Sequence, residues 1–285
     1  MIAGVKAIAL VALIGAAMAA PAGAQGKSAS APGQSKKGGN AGAAAAAAAT
    51  VSPATATSAT SAPSSSPNNV LYYGSWLDDA SVMERGSIWM GASTAYWKAD
   101  TAHQVDVPVL MGAAGLTRRV QVGASLPIYH FQDQSGLSAS GVGTVSVYGK
   151  LMLMDAGAGR RLGLAVAPLI ELAPGADGAF GWALPVNVET RADRFRVYGS
   201  AGYFSRGSIF GTAAVEVPTS SRTAVTGTFG QSHAGGATQT SLGVSLSFAP
   251  EPSTGLFMSL GHSSGVASLS NGGVSLGGGV SVLLK

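Results

Sequence analysis

Cysteine is absent from all 285 residues, which excludes a disulfide framework and thiolate metal sites. Charge is scarce: Asp, Glu, Lys and Arg make up 11% of the chain, less than half the roughly 25% usual in soluble globular proteins. Disorder does not account for the deficit, because aliphatic residues are plentiful and disordered chains are poor in them. Acids are missing from the first 68 residues, where Lys6, Lys27, Lys36 and Lys37 carry the whole formal net charge of +4. From Asn69 onward 13 basic residues face 13 acidic ones, so nothing in the folded part points to nucleic acid. Long apolar runs are also lacking. The run from Ala7 to Ala20 ends at Pro21 and falls short of the ~20 residues a spanning helix needs.

That first run reads as the core of a secretory signal over residues 1–24. Lys6 supplies the positive start, and Ala22-Gly23-Ala24 a small-residue cleavage site before Gln25. Residues 25–68 are Ala, Ser, Gly, Pro and Thr with almost no large apolar side chain. They cannot bury enough surface to offset their ordering entropy and read as a disordered linker. A folded unit is expected over 69–285. Its opening stretch, NVLYYGSWLDDASVMER at 69–85, neither alternates nor follows a helical period; it reads as a periplasmic lead-in in preference to a plug folded into a barrel mouth.

What is present in abundance is alternation. In GLTRRVQVGASLPIYHF, residues 115–131, Val120, Val122, Ala124, Leu126 and Ile128 share one parity, and Gln121, Gly123 and Ser125 the other. Period two over that length marks a strand with differently solvated faces. The polar turn ahead of it recurs at Arg160-Arg161, Asp193-Arg194 and Ser221-Arg222, so the unit is a repeated hairpin. Strands are expected near 86–97, 103–115, 119–131, 141–154, 161–172, 180–190, 194–205, 208–217, 222–231, 239–248, 254–262 and 273–284, about twelve in all, each long enough to cross a bilayer. In the tenth, Leu242, Val244, Leu246 and Phe248 oppose Ser241, Ser245 and Ser247. A soluble sandwich would carry Lys, Glu and Asp on the second face. Ser, Gly and Thr there mean lipid outside and water inside: an all-β transmembrane antiparallel barrel in the bacterial outer membrane.

An even strand number puts both barrel ends of the chain on the periplasmic side. Arg118, Arg119, Arg160, Arg161, Arg191, Arg194 and Arg222 gather at the turns assigned there. Tyr96, Trp97, Tyr129, Phe131, Phe180, Trp182, Tyr203, Phe210 and Phe229 gather at the opposite ends as an interfacial girdle. GLTRRVQVGASLPIYHF, GVGTVSVYGKLML and GLAVAPLIELAPGADG resemble successive hairpins of outer-membrane proteins linked to phenol meta-cleavage pathways, over about residues 112–178. The resemblance implies a channel for small aromatic or hydrophobic compounds. Where barrels of this kind end in an aromatic residue read by the assembly machinery, this chain ends Leu283-Leu284-Lys285.

Enzymatic patterns fail on inspection. Gly149-Lys150 lacks the glycine spacing and the Ser/Thr of a phosphate loop. Two G-x-S-x-G matches, at 261–265 and 273–277, are followed by no helix. His262 with Ser264 resembles the His-x-Ser pair of outer-membrane lipid A deacylases, but no acid follows Glu251 to orient the imidazole. His103, His130 and His233 lie on separated strands and form no i, i+2 pair, so neither a metal nor a cofactor is expected. Inward parity selects Asp106 and Gln121 and, as a lumen constriction, Lys150, Glu171, Asn187, Glu189, Arg196, Glu216 and Arg222. Across the turns, Glu189 is expected opposite Arg196 and Glu216 near Arg222, as ion pairs bracing the wall or selecting solutes. The expected function is porin-like, passive passage of small solutes, because about twelve strands leave a narrow lumen. The expected partners are outer-membrane lipid, a small-molecule solute and the barrel-assembly machinery. The rivals are a sealed structural or adhesive barrel and a lipid hydrolase using His262 and Ser264.

Overall fold

The computed structural model describes residues 70–72, 75–99, 102–133, 136, 138–156, 161–172, 180–192, 194–205, 207–234, 237–267 and 270–285. The signal segment 1–24 and the linker 25–68 lie outside them. A short hairpin comes first, β1 (Val70–Tyr72) and β2 (Ser75–Leu77). Then follow β3 (Ile88–Ala99), β4 (Ala102–Gly115), β5 (Val120–Asp133), β6 (Ser138–Val142), β7 (Val145–Met154), β8 (Leu162–Val166), β9 (Leu169–Leu172) and β10 (Phe180–Arg191). The rest are β11 (Arg196–Phe204), β12 (Ser208–Pro218), β13 (Thr223–Ala234), β14 (Ala237–Glu251), β15 (Thr254–Ala267) and β16 (Ser270–Leu284).

From β3 onward each strand pairs antiparallel with its neighbour, and β16 returns to pair with β3 from Leu284↔Ile88 to Gly273↔Ala99. The sheet therefore closes. β6 with β7, and β8 with β9, are two halves of single crossings, since both β6 and β7 pair with β5, and both β8 and β9 with β10. The second break falls at Ala167-Pro168, where proline has no N–H for the ladder. The first falls at Gly143-Thr144, with the Gly143 N–H turned to the Pro127 carbonyl, 2.8 Å away. With those joined, twelve strands cross, at the spans the alternation marks out. Closure removes every open edge, the requirement lipid places on a spanning sheet.

The outward face is apolar along the wall: Val147, Leu151, Leu184, Ile209, Leu242, Met258 and Leu276 are all exposed, Leu242 at 56%. A continuous apolar band of this kind is stable only against hydrocarbon, so the barrel spans a membrane. On the inward face from β12 to β16, Thr212, Thr226, Ser241, Ser245, Ser247 and Ser281 are buried.

Two expectations need correction. Of the nine girdle aromatics, Tyr96, Phe180, Trp182, Tyr203 and Phe229 are exposed on the outside, but Trp97, Phe131 and Phe210 are buried. Trp97 and Phe210 follow the inward parity of their strands, and glycines beside them leave room: a Cβ on Gly202 would lie 2.9 Å from the Phe210 ring. The turn after β10 is also placed differently. Ala192 N–H bonds to the Phe195 carbonyl at 2.9 Å, so the ladder resumes at Arg191↔Arg196, with Glu189 opposite Tyr198. Moving the centre of a turn by one residue moves every partner by two. Glu216 likewise pairs across β12–β13 with Thr226 and across β11–β12 with Arg196, while Arg222 is exposed in the 219–222 turn.

Candidate functional site: a plugged lumen

The interior is occupied by the chain itself. Residues Leu77 to Met83 lie inside the barrel, with Leu77, Asp78, Asp79, Ala80 and Met83 buried, and β2 lies against β11, β12 and β13. This stretch is a plug, not a lead-in. It carries no alternation because it is not paired as a barrel strand. Gly86, at φ +83°, turns the chain out of the lumen into β3, and the Gly86 N–H bonds to the Gly115 carbonyl at 2.8 Å. Positive φ is a conformation glycine adopts without steric cost. Below the turn, Lys285 Nζ lies 3.0 Å from Glu84 Oε2.

The plug is held by polar contacts with the wall. Lys150 Nζ lies 2.7 Å from Asp78 Oδ2 and 3.3 Å from Asp79 Oδ1, and donates to the Ser81 carbonyl at 3.0 Å. Asn187 Nδ2 donates to Asp78 Oδ2 at 3.3 Å. The Ser200 hydroxyl takes the Asp78 N–H at 3.0 Å and lies 3.2 Å from the Asp78 carbonyl. Arg196 Nη1 reaches Asp79 Oδ2 at 2.9 Å, while its Nη2 reaches Glu216 Oε2 at 3.0 Å. The same guanidinium stacks over Tyr198, 4.6 Å from the ring centre, and lies 3.7 Å from Glu189, which is paired with Arg191. At the plug's other end Gln121 Oε1 accepts the Met83 N–H at 2.9 Å and Gln121 Nε2 donates to the Tyr148 hydroxyl at 3.0 Å.

Of the seven residues the sequence nominates, the structure joins Lys150, Asn187, Glu189, Arg196 and Glu216 into one network. Glu171 is half-buried on β9, across from Ser146 and Gly181. Arg222 stays outside the barrel interior. Asp78 and Asp79, the centre of the network, escaped nomination because nothing placed their segment in the lumen. One signal was available: they are the first acids in a chain that has none before them, and they are adjacent.

Apolar packing fills other parts of the interior. Tyr148, Leu169, Ala183, Phe204 and Phe210 form one buried cluster, and Met83 joins Trp89 and Ala113 in another. Inward hydroxyl oxygens on Ser93, Thr226, Ser245 and Ser259 are buried without a hydrogen-bond partner among the described residues.

The histidines remain apart. His130 bonds with Ser140 at 2.8 Å and His233 with Thr238 at 3.0 Å, and His262 and Ser264 are exposed on the outward parity of β15. Among the described residues no group of three potential metal ligands gathers.

No family model and no curated protein matches the chain. Among solved structures it is similar to an outer-membrane channel from Pseudomonas putida F1, with 15% identity, 72% of this chain and 98% of that one covered, and a TM-score of 0.56. It is also similar to the NanC porin, with 11% identity, 68% and 98% covered, and a TM-score of 0.51. Likeness at these identities is likeness of fold: the chain is a closed, twelve-stranded antiparallel β-barrel of the kind those outer-membrane channels have.

Proposed function

We propose that the protein is an outer-membrane channel for passive passage of small solutes, closed at rest by its own N-terminal segment. One observation carries the reading: the segment filling the lumen is held by ion pairs and hydrogen bonds to wall residues that are themselves polar. A wall built only to be sealed gains nothing from lining itself with Lys150, Asn187, Arg196 and Glu216, since burying charge is costly even when paired. A wall that water and solutes reach needs such residues. The buried hydroxyls of Ser93, Thr226, Ser245 and Ser259 point the same way, because a solvated path along β3 and β13–β15 would supply their partners. The finer resemblance to phenol meta-cleavage channels would make aromatic or hydrophobic compounds the solutes. The exposed arginines at the Ile88/Leu284 end, Arg118, Arg119, Arg161, Arg194 and Arg222, support placing that end at the periplasm, where headgroup phosphates would meet them.

A sealed structural barrel is the competing reading, favoured by the packed cluster around Tyr148 and Phe210. Liposome swelling separates the two. In liposomes, protein whose plug is weakened by Asp78→Asn and Asp79→Asn should admit arabinose faster than raffinose and faster than wild-type or protein-free vesicles do. Failure to admit arabinose, both by the wild type and by a variant with a weakened plug, would establish the sealed barrel.

Charge in the lumen should set ion selectivity. Arg196→Ala leaves Glu189 and Glu216 without their shared cation, and charges at a partly desolvated narrow point act on ions far more strongly than in bulk water. Reversal potentials in a planar bilayer should shift towards cation preference, and assembly should be unaffected. Conductance with unchanged selectivity would remove this cluster from the conduction path.

A further inference from the structure

We infer that the wall beneath the plug is a carboxylate-binding site, that Asp78 and Asp79 occupy it in place of a solute, and that small organic carboxylates open the barrel by exchanging with them. The inference rests on the channel reading and names the solute class for the same lumen.

Lys150 sits between the two plug carboxylates. Its side chain is fully buried, and among the described residues both of its acidic partners, Asp78 and Asp79, belong to the plug. Its backbone acceptor, the Ser81 carbonyl, belongs to the plug as well. The wall's own acids are committed elsewhere: Glu189 to Arg191 and Arg196, and Glu216 to Arg196. When the plug withdraws, Lys150 loses every acidic partner. Water then reaches the ammonium, but the two carboxylate contacts are lost unless an anion in the lumen takes their place.

The groups around Lys150 define which anion fits. Asn187 Nδ2 donates to the same carboxylate oxygen of Asp78 that Lys150 contacts, and Arg196 Nη1 holds the neighbouring carboxylate of Asp79. The wall thus offers an ammonium, an amide N–H and one edge of a guanidinium to two adjacent carboxylates. Planar carboxylates match such donors. Leu77, buried beside Asp78, shows that the neighbourhood also accepts an apolar body attached to the acid. A ligand shifts a two-state equilibrium only through its differential affinity for the two states. A carboxylate that binds the wall only when the plug is out has that property.

The plug's position can be read without measuring conduction. The chain has no cysteine, and the Ser81 hydroxyl oxygen is buried, so Ser81→Cys places a reporter inside the closed lumen. Purified full-length Ser81→Cys protein is treated with a maleimide in the presence of glutarate, glutaramide or sulfate at matched ionic strength. Glutarate should accelerate labelling saturably, by about tenfold or more. Glutaramide and sulfate should not. Equal acceleration by all three, or none by glutarate, would overturn the inference.

Two second changes extend the test. Lys150→Met should remove the glutarate response, provided the heat-modifiable gel shift shows a folded barrel. Asp78→Asn leaves the wall intact and should lower the glutarate concentration giving half-maximal labelling; an unchanged or raised concentration would count against exchange. The two readings fail separately. Labelling that ignores glutarate in a barrel that still passes arabinose sinks the carboxylate site alone. Glutarate-dependent labelling in a barrel that passes nothing sinks the channel and leaves the site.

Discussion

Replacing Asp78 and Asp79 together by Asn should turn a closed barrel into a conducting one in a planar bilayer. The two side chains supply both acidic partners of the fully buried Lys150 and one of the contacts of Arg196. Breaking a buried ion pair by removing one partner costs about 3–5 kcal/mol, because the remaining charge is left uncompensated. The loss falls on plug docking alone. None of the inter-strand pairings of the wall involves residues 78 or 79, so the barrel keeps its ladder. Each 1.4 kcal/mol is about tenfold in an equilibrium constant, so the docked fraction should fall by about a hundredfold or more relative to the undocked one.

What remains to hold the plug is Leu77, Met83, the Met83–Gln121 hydrogen bond, the Ser200 hydroxyl on the backbone of residue 78 and the Lys150 contact to the Ser81 carbonyl. Burying Leu77 is worth about 2 kcal/mol, comparable to the loss or below it. Long-lived open events should therefore replace brief or absent ones, with the gel shift of the folded barrel unchanged. Asp79→Asn alone should have a smaller effect, because Asp78 keeps the 2.7 Å contact to Lys150. Conductance in the double variant equal to wild type would mean that apolar contacts hold the plug, and the ion pairs would then be wall bracing.

The barrel was legible in the sequence because each crossing has to present one greasy face to lipid. That demand writes itself as period two, and the count of twelve followed from the repeats. The inward residues were legible for the same reason: Lys150, Asn187, Glu189, Arg196 and Glu216 sit where parity put them. Three things were less legible, each with its own cause. Register across the turn after β10 depended on whether the turn closes at Arg191 or earlier, and no residue in Thr190-Arg191-Ala192-Asp193 decides that. The aromatics near the strand ends were assigned by residue type, and only parity separates an outward Tyr96 from an inward Trp97. The plug obeys no period because its partners are side chains from strands far along the chain: Ser200 lies 122 residues from Asp78. Binary patterning records the solvent on each side of a strand and says nothing of a segment that replaces solvent. Five charged and polar inward residues on β7, β10, β11 and β12 still implied that something had to meet them.

Gly123→Val should be among the most damaging single changes in the wall, although glycine is a weak strand residue and its replacement usually helps a strand. Gly123 pairs with Tyr148 across β5–β7, and the ring folds back over it. A Cβ at 123 would sit 2.6 Å from the Tyr148 hydroxyl oxygen and closer still to the ring. The ring has little room to retreat, since it is buried with Leu169, Phe204 and Phe210. Its hydroxyl is held by Gln121, and Gln121 also holds the plug through Met83. Overpacking of this kind costs about 1–3 kcal/mol, and here the displaced group carries a plug contact with it. Heat-modifiable mobility should be lost at a temperature several degrees below wild type, and the plug should be released more readily. Gly227→Val is the matched control. Gly227 is exposed on β13, and a Cβ there meets nothing within 4 Å, so this change should leave the melting of the barrel as it was or raise it. Removing the obstructing ring in Gly123→Ala/Tyr148→Leu should recover most of the wall stability while leaving Gln121 without the Tyr148 hydroxyl. If Gly123→Val and Gly227→Val melt alike, Tyr148 swings clear of the wall at little cost, and the chain of contacts from Gly123 through Tyr148 and Gln121 to the plug carries no strain.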